Sequence, residues 1–162
     1  MIRLAEPEDA PTLAHAEWAT AEVPGRLAGR PGEIPVEAFA AKIVELRTRG
    51  RYVVALRDGA IVGHALLDPM PLQATAHVFR LTIVVHPGHL GQGIGAEMLQ
   101  DLVDWAERDP RVGRLELNVR DGNERAIRLY RRFGFEEEGR LRRRIRFPDG
   151  TEVDDLVMGR FV

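Results

Sequence analysis

The chain has 162 residues, of which 44% are apolar and 30% charged, and its formal net charge is -2. This is the size and balance of one globular domain, so we predict a single domain over residues 1–162. The nearly balanced charge gives no argument for nucleic acid or an anionic membrane as partner. The absence of cysteine excludes disulfides, thiolate nucleophiles and cysteine-ligated metals, and we expect no metal site. Since no apolar signal segment or membrane-length apolar run occurs, we expect a cytoplasmic protein.

The first half of the chain predicts two helices and an antiparallel meander. In chain order the predicted elements are a strand over 2–5, a helix to Thr20, a breaker-rich loop over 22–32, a helix over 36–48, and strands over 52–56, 61–67 and 76–85. Asp58-Gly59 separates two apolar runs and is the strongest short-range hairpin signal. In the second helix, the predicted core positions are Phe39, Ile43, Val44 and Leu46.

The second half predicts two amphipathic helices that alternate with strands. In chain order these are a helix over 95–106, a strand over 114–119, a helix after Asn123, and strands over 135–147 and 151–158. Asn123 is a favoured N-cap residue, and Gly134 closes its helix. The order of elements predicts an α+β fold, with a mixed and mostly antiparallel sheet and helices on its faces.

A glycine-rich turn between a strand and a helix is the most informative segment. Gly91, Gly93 and Gly95 alternate where the second-half helix begins. The first amides of a helix lack intrahelical partners, and the absence of side chains lets a phosphate approach them closely. The segment therefore predicts a diphosphate-binding loop, and a plain tight turn is the alternative.

Two other phosphate-binding motifs do not fit this turn. A Walker A loop ends in Gly-Lys-Ser/Thr, but Ala96 follows Gly95 here. The dinucleotide fingerprint requires Gly-x-Gly-x-x-Gly and opens the first βαβ unit, whereas this loop has another spacing and follows a meander.

The sequence resembles the GNAT superfamily of N-acetyltransferases in two motifs at the right separation. Leu90-x-x-Gly93-x-Gly95 is similar to its pyrophosphate signature Gln/Arg-x-x-Gly-x-Gly/Ala, and it departs at Leu90. Because backbone amides supply most of the binding, we expect this departure to weaken the site without abolishing it. The second motif runs from Leu117 through Asn123, Ala126 and Tyr130 to Gly134-Phe135.

The resemblance implies a concrete site for acetyl-CoA as co-substrate. The strands over 76–85 and 114–119 should splay apart and admit the pantetheine arm. The implied cofactor-binding residues are Ile83, Val84, Val85, Leu90, Gly91, Gln92, Gly93, Ile94, Gly95, Ala96, Asn123, Ala126 and Tyr130. Dimers are common in this family, so a homodimer is a further expectation.

Acetyl transfer to an amine raises two proton problems. The leaving thiolate needs an acid, and Tyr130 stands where the resembled family keeps a tyrosine for that purpose. An alkylammonium is mostly protonated at pH 7, and exposing its lone pair costs about 4 kcal/mol. Relatives place an acidic residue on the strand before the loop, but Arg80 occupies that position here. Glu116, His77, His64 or binding of the neutral amine remain alternatives.

Arg80 has its own interpretation, since a guanidinium in the acceptor cleft recognises a carboxylate bidentately. An ion pair across the sheet is the alternative. We predict Trp18, His77 and Arg80 as substrate-binding residues, with the loop over 21–34 beside Trp18 as a wall of the cleft. Trp105 is predicted to lie in the core.

The arginines between Arg120 and Arg146 form the one basic cluster. One or two of them are expected at the CoA ribose phosphate, and the rest on a solvated face. RNA binding is disfavoured because interleaved aromatic residues are missing. The predicted function is transfer of an acetyl group to a small-molecule or amino-acid amine. The alternatives are acetylation of a protein N-terminus and a non-catalytic acyl-CoA-binding module.

Overall fold

In the computed structural model, which describes residues 1–23 and 29–162, seven strands form one sheet and four α-helices cover its faces. The strands are β1 (Ile2–Leu4), β2 (Arg51–Arg57), β3 (Ala60–Pro69), β4 (Val78–Val85), β5 (Arg114–Arg120), β6 (Glu136–Arg146) and β7 (Glu152–Phe161). The helices are α1 (Ala10–Ala21), α2 (Val36–Arg49), α3 (Ile94–Arg108) and α4 (Glu124–Arg132). None of the described helices is long and apolar enough to cross a membrane.

The sheet has the order β1-β2-β3-β4-β5-β7-β6, and every neighbouring pair except β4–β5 is antiparallel. This confirms the predicted α+β class. Two local predictions also hold. Asp58 and Gly59 make the β2–β3 turn with φ of 49° and 80°. Asn123 caps α4, because its side-chain oxygen accepts a hydrogen bond of 3.3 Å from the amide of Ala126.

The core divides between the two faces of the sheet. On one face, α3 and α4 pack on alternate residues of the central strands, among them Phe79, Leu81 and Leu115. On the other face, α1 and α2 pack on Tyr52 and Val54. The prediction of Val44 as a core position of α2 is wrong: it is 53% exposed, because it lies off the stripe formed by Phe39, Ile43 and Leu46. Trp105 is half-buried, with its ring edge against Phe79.

The pairing of β4 with β5 determines where a site can form. These parallel strands pair at Val78–Arg114, Phe79–Leu115 and Arg80–Glu116, and they part beyond these positions. The splayed arrangement expected from the resemblance is therefore present. The strand predicted over 76–85 begins two residues later, because a 3-10 turn over Gln73–Thr75 precedes it. The predicted loop over 22–32 falls partly outside the described residues, since 24–28 are not described.

Candidate active site

A cleft of about 1190 Å³ opens between the parted ends of β4 and β5. It collects all but one of the cofactor-binding residues predicted from the sequence. Those that line it are Ile83, Val84, Val85, Leu90, Gly91, Gly93, Ile94, Gly95, Ala96, Asn123, Ala126 and Tyr130. Gln92 does not line the cleft; its side-chain amide is turned to the carbonyl of Gly88, 3.5 Å away.

The glycine turn brings main-chain donors to the wall of this cleft. Gly91 and Gly93 have φ of 87° and 79°, and Gly93 is the N-cap of α3. The amides of the first turn of α3 have no intrahelical acceptor and lie at the positive end of the helix dipole. A methyl group on Gly95 would lie 3.4 Å from Leu129 of α4, so this position also keeps the two helices close. The geometry suits a diphosphate.

Arg125 adds a cation to this turn. A methyl group built on Gly91 would lie 2.9 Å from Nη2 of Arg125, so the guanidinium lies directly over the loop. Arg125 and Arg128 line the cleft, whereas Arg131 points away and lies 4.0 Å from Glu137. Within the described chain, Arg125 makes no ion pair, so its donors are available to a phosphate.

We expect Arg125→Gln to weaken acetyl-CoA binding by roughly tenfold or more, because a hydrogen bond to a charged group contributes about 1.5–3 kcal/mol. The affinity should also depend less on salt, since one phosphate contact is lost. Calorimetric titration with acetyl-CoA measures both effects. Arg131→Gln on the same helix is the matched control and should bind normally; equal losses in the two variants would contradict the assignment of Arg125.

Tyr130 lies on α4 with its ring edge on Phe135, at a centroid distance of 5.9 Å. Burial raises the pKa of Tyr130 from 10.0 to about 12, and the nearby Arg120 opposes this rise. Tyr130 lines the cleft, and no described residue forms a hydrogen bond with its hydroxyl. The phenol is therefore protonated at neutral pH and free to donate into the cleft.

We call the part of the cleft around Arg80 the acceptor side. Of the three predicted substrate-binding residues, only Arg80 lines the cleft. Trp18 donates from Nε1 to the carbonyl of Ile34 at 3.1 Å and does not line the cleft. Thr20, two residues further along α1, does. His77 is exposed beside Gly113, before β4 begins, and the structure does not bring it to the cleft.

The structure also places the candidate bases. Glu116 lies 3.7 Å from Arg114, so its carboxylate is paired with an arginine. His64 is fully buried between two partners, with Nδ1 2.9 Å from Nε2 of His86 and Nε2 2.9 Å from Glu17. This series of hydrogen bonds ends where Nδ1 of His86 donates to the carbonyl of Ile61. Because a carbonyl can only accept, this contact assigns the tautomer of His86. His64 is thus held in the core between His86 and Glu17 of α1, and it does not line the cleft.

The buried pair of His64 and His86 predicts that the fold loses stability in acid. Burial, with a smaller contribution from His64, lowers the pKa of His86 from 6.5 to about 4. The unfolded chain therefore binds this proton first as the pH falls. The stabilisation is complete above about pH 6.5 and is lost towards pH 4, to a total of about 3 kcal/mol. Urea unfolding across this range should show a weaker pH dependence for His86→Gln than for the wild type. His77→Gln, at an exposed histidine, should keep the wild-type dependence; if His86→Gln also kept it, the assignment to His86 would be wrong.

Several cleft residues were not predicted from the sequence. Arg120, Arg144 and Asp155 line the acceptor side together with Thr20. Asp155 could have been noticed in the sequence, because it is followed directly by the apolar residues Leu156, Val157 and Met158. An acidic residue is unusual in such a buried segment. Arg120 and Arg144 were hidden among many arginines.

The site suits a coenzyme whose diphosphate lies at a helix start and whose acyl arm lies between two strands. That arrangement suits an acetyltransferase that takes its acetyl group from acetyl-CoA, and Tyr130 is the candidate acid for the thiolate. No group of three or more potential metal ligands occurs in the part of the chain that the structure describes.

Comparisons with known proteins lead to the same class. The model of the acetyltransferase (GNAT) family matches residues 13–135, and the chain belongs to this family. The chain is 30% identical over 110 residues to the L-amino acid N-acetyltransferase AaaT of Escherichia coli, covering 68% of this chain and 67% of that protein. It is 34% identical over 123 residues to the N-alpha-acetyltransferase RimI of Mycobacterium tuberculosis, covering 74% and 71%.

A solved structure shares the whole fold. The phosphinothricin acetyltransferase of Sinorhizobium meliloti, determined in complex with acetyl-CoA, superposes with a TM-score of 0.90 at 20% identity, covering 100% of this chain and 88% of that one. The family and the cleft together show that the chain is an acetyl-CoA-dependent N-acetyltransferase that acetylates an amine.

Proposed function

We propose that the acceptor is a small molecule carrying both a primary amine and a carboxylate, in the simplest case an amino acid. The amine attacks the thioester directly while both substrates are bound. Arg80 is the single observation that carries this proposal, because it offers a bidentate carboxylate site on the acceptor side of the cleft.

The cross-strand neighbours of Arg80 are already occupied. In the sheet register Arg80 lies opposite Asp68 of β3 and Glu116 of β5. Asp68 accepts a 2.8 Å hydrogen bond from Lys42, and Glu116 lies beside Arg114. Arg80 is exposed and makes no ion pair with the described residues. The cross-sheet ion pair weighed from the sequence is therefore not formed, and the guanidinium is available to a substrate.

Relatives support two acceptor types. One is named for L-amino acids, which fits Arg80. The other is named an N-alpha-acetyltransferase, which favours a peptide N-terminus as the second candidate. The two differ chemically next to the reacting amine: an amino acid has a free carboxylate there, whereas a peptide has an amide. Arg80 should distinguish them.

The test is a thiol-release assay with acetyl-CoA and four panels of acceptors: the L-amino acids, their decarboxylated amines with polyamines, aminoglycosides, and short peptides. We expect the highest kcat/KM among the amino acids. Arg80→Gln should then raise the KM of the best amino acid by roughly tenfold or more, the size of one charged hydrogen-bonded pair. The KM of the corresponding decarboxylated amine should not change.

Each other outcome has a defined meaning. Release with peptides alone would support the N-terminal acetyltransferase. The absence of thiol release with all four panels, in a protein that still binds acetyl-CoA, would favour the acyl-CoA-binding module. An Arg80→Gln variant that acts on amino acids like the wild type would contradict the role of Arg80. Arg131→Gln, at an exposed arginine outside the cleft, controls for the loss of one positive charge.

The remaining expectations on partners and location are part of this proposal. We place the reaction in the cytoplasm, where acetyl-CoA is the expected acetyl donor. A homodimer follows from the family resemblance alone, and light scattering of the purified chain would test it.

A further inference from the structure

Two charged atoms in the cleft are buried without a hydrogen-bond partner. They are Nε of Arg120 and Oδ1 of Asp155, the two such side-chain atoms among the described residues. They lie 3.5 Å apart, and the side chain of Asp155 is only 4% exposed. A buried polar group left without a hydrogen bond destabilises the fold, so such a pair calls for a functional explanation.

The sheet register places this pair on the acceptor side. Arg120 of β5 lies directly opposite Asp155 of β7, so both side chains are on one face of the sheet. Glu116 precedes Arg120 by four residues on that face and lies in register with Arg80 of β4. Alternate residues of a strand share a face, so Arg80 lies on the same face of β4 as Val84. Val84 lies opposite His64 of β3, and the side chain of His64 contacts Glu17 of α1. This face is therefore the one that α1 covers.

The other cleft carboxylate is already bound. Asp121 and Asp155 are the acidic residues that line the cleft in the described part of the chain. Asp121 accepts a 2.5 Å hydrogen bond from Nη1 of Arg140. Asp155 accepts none from a described side chain, and its ion pair with Arg120 involves the buried Oδ1 at 3.5 Å. Oδ2 is therefore the oxygen that remains for a substrate.

The surroundings of Asp155 suit a cationic group that must lose a proton. Besides Asp155, the charged and titratable groups that line the cleft are Arg80 of β4, Arg120 of β5, Asp121 after β5, Arg144 of β6, His89 before the glycine turn, and Arg125, Arg128, Tyr130 and Arg132 on α4. Asp155 is therefore an anionic point among cations. An acceptor with one ammonium and one carboxylate matches this pattern when its ammonium meets Asp155 and its carboxylate meets Arg80.

We propose that Asp155 binds the ammonium of the acceptor and takes its proton, directly or through one water. In this proposal Arg120 positions the carboxylate of Asp155. This assignment rests on the proposed function. The ammonium gives one proton to Asp155, and the neutral nitrogen attacks the thioester carbon to form the C–N bond. The C–S bond then breaks, and the thiolate takes a proton from Tyr130. The second nitrogen proton restores Tyr130, and the proton on Asp155 passes to solvent.

The test compares Asp155→Asn with the wild type, using acetyl-CoA and the amino acid that the wild type acetylates best. We expect kcat/KM at neutral pH to fall by about 100-fold or more, the usual contribution of a positioned base, with acetyl-CoA affinity unchanged. The deficit should shrink as the pH rises, because the neutral fraction of the amine grows about tenfold per pH unit below its pKa. A purely structural residue would give a deficit that is constant with pH.

Two further variants complete the experiment. Asp154→Asn removes the same charge one residue earlier, where the side chain accepts from the amide of Arg143 outside the cleft, and it should leave turnover unchanged. The double variant Asp155→Asn with Arg120→Gln removes both buried charges, so it should fold even if the single variant does not. It should show the same pH-dependent deficit.

The result that overturns the assignment is specific. An Asp155→Asn enzyme with near wild-type turnover, or a deficit that does not change with pH, would exclude Asp155 as the proton acceptor while leaving the proposed function intact. A wild type inactive toward every amine would overturn the proposed function, and this assignment with it.

Discussion

Tyr130→Phe should lower kcat by about 100-fold or more, because general acids contribute on this scale, while the affinity for acetyl-CoA stays the same. The leaving thiolate needs a proton, and a phenol is its nearest match in pKa among ordinary side chains. Burial raises the pKa of Tyr130 to about 12, so the hydroxyl keeps its proton until the thiolate forms. Phenylalanine preserves the contact with Phe135 and removes only the donor.

The other tyrosine of the chain provides the control for this prediction. Tyr52 is 4% exposed and packs under α1 and α2, with its ring 6.1 Å from that of His64. Tyr52→Phe should leave kcat unchanged. Steady-state kinetics with calorimetry on both variants separates turnover from binding. An unchanged kcat in Tyr130→Phe, or a matching loss of acetyl-CoA affinity, would count against Tyr130 as the acid.

Gly93→Ala should weaken acetyl-CoA binding by roughly 10- to 100-fold, the equivalent of one or two displaced hydrogen bonds to a charged group. Gly93 has φ of 79°, and a methyl group there meets no protein atom within 4 Å. The methyl group would instead project where the diphosphate is expected, in front of the amides that open α3. The left-handed backbone also makes alanine less stable there by about 1–2 kcal/mol.

Gly150→Ala separates these two effects. Gly150 lies in the β6–β7 turn with φ of 87° and also has open space around it, but it does not line the cleft. It should lose similar stability in a thermal melt and keep the wild-type affinity in calorimetry. Equal affinities in the two alanine variants would mean that the turn does not hold the diphosphate.

Local patterns predicted most of the fold correctly. Three features depend only on a few neighbouring residues and can therefore be predicted from the sequence alone. They are the β2–β3 turn, the asparagine cap of α4 and the glycine turn before α3. The same applies to the order of helices and strands. Val44 shows the limit: an apolar residue satisfies a helical pattern roughly, but the width of the buried stripe depends on what packs against it.

The candidate site was predictable on the cofactor side and much less so on the acceptor side. The predicted cofactor-binding residues lie in two contiguous segments, the end of β4 with the glycine turn, and α4 with its N-cap. The acceptor side instead collects Thr20, Arg80, Arg120 and Asp155 from four elements. Their sequence separations give no hint of proximity. The register of β5 and β7 pairs Arg120 with Asp155, and the register of β4 and β5 puts Arg80 on the same face of the sheet.

The sequence by itself determined the class of fold, the glycine turn before α3 and Tyr130 as a candidate acid, because these follow from short-range backbone preferences and one contiguous motif. Only the tertiary structure decided that His64 is buried, that Arg80 makes no ion pair with a described residue and that Asp155 faces Arg120. The physical reason is that burial and ion pairing are set by neighbours across the sheet. A strand that shifts by one residue would turn each of these side chains to the opposite face.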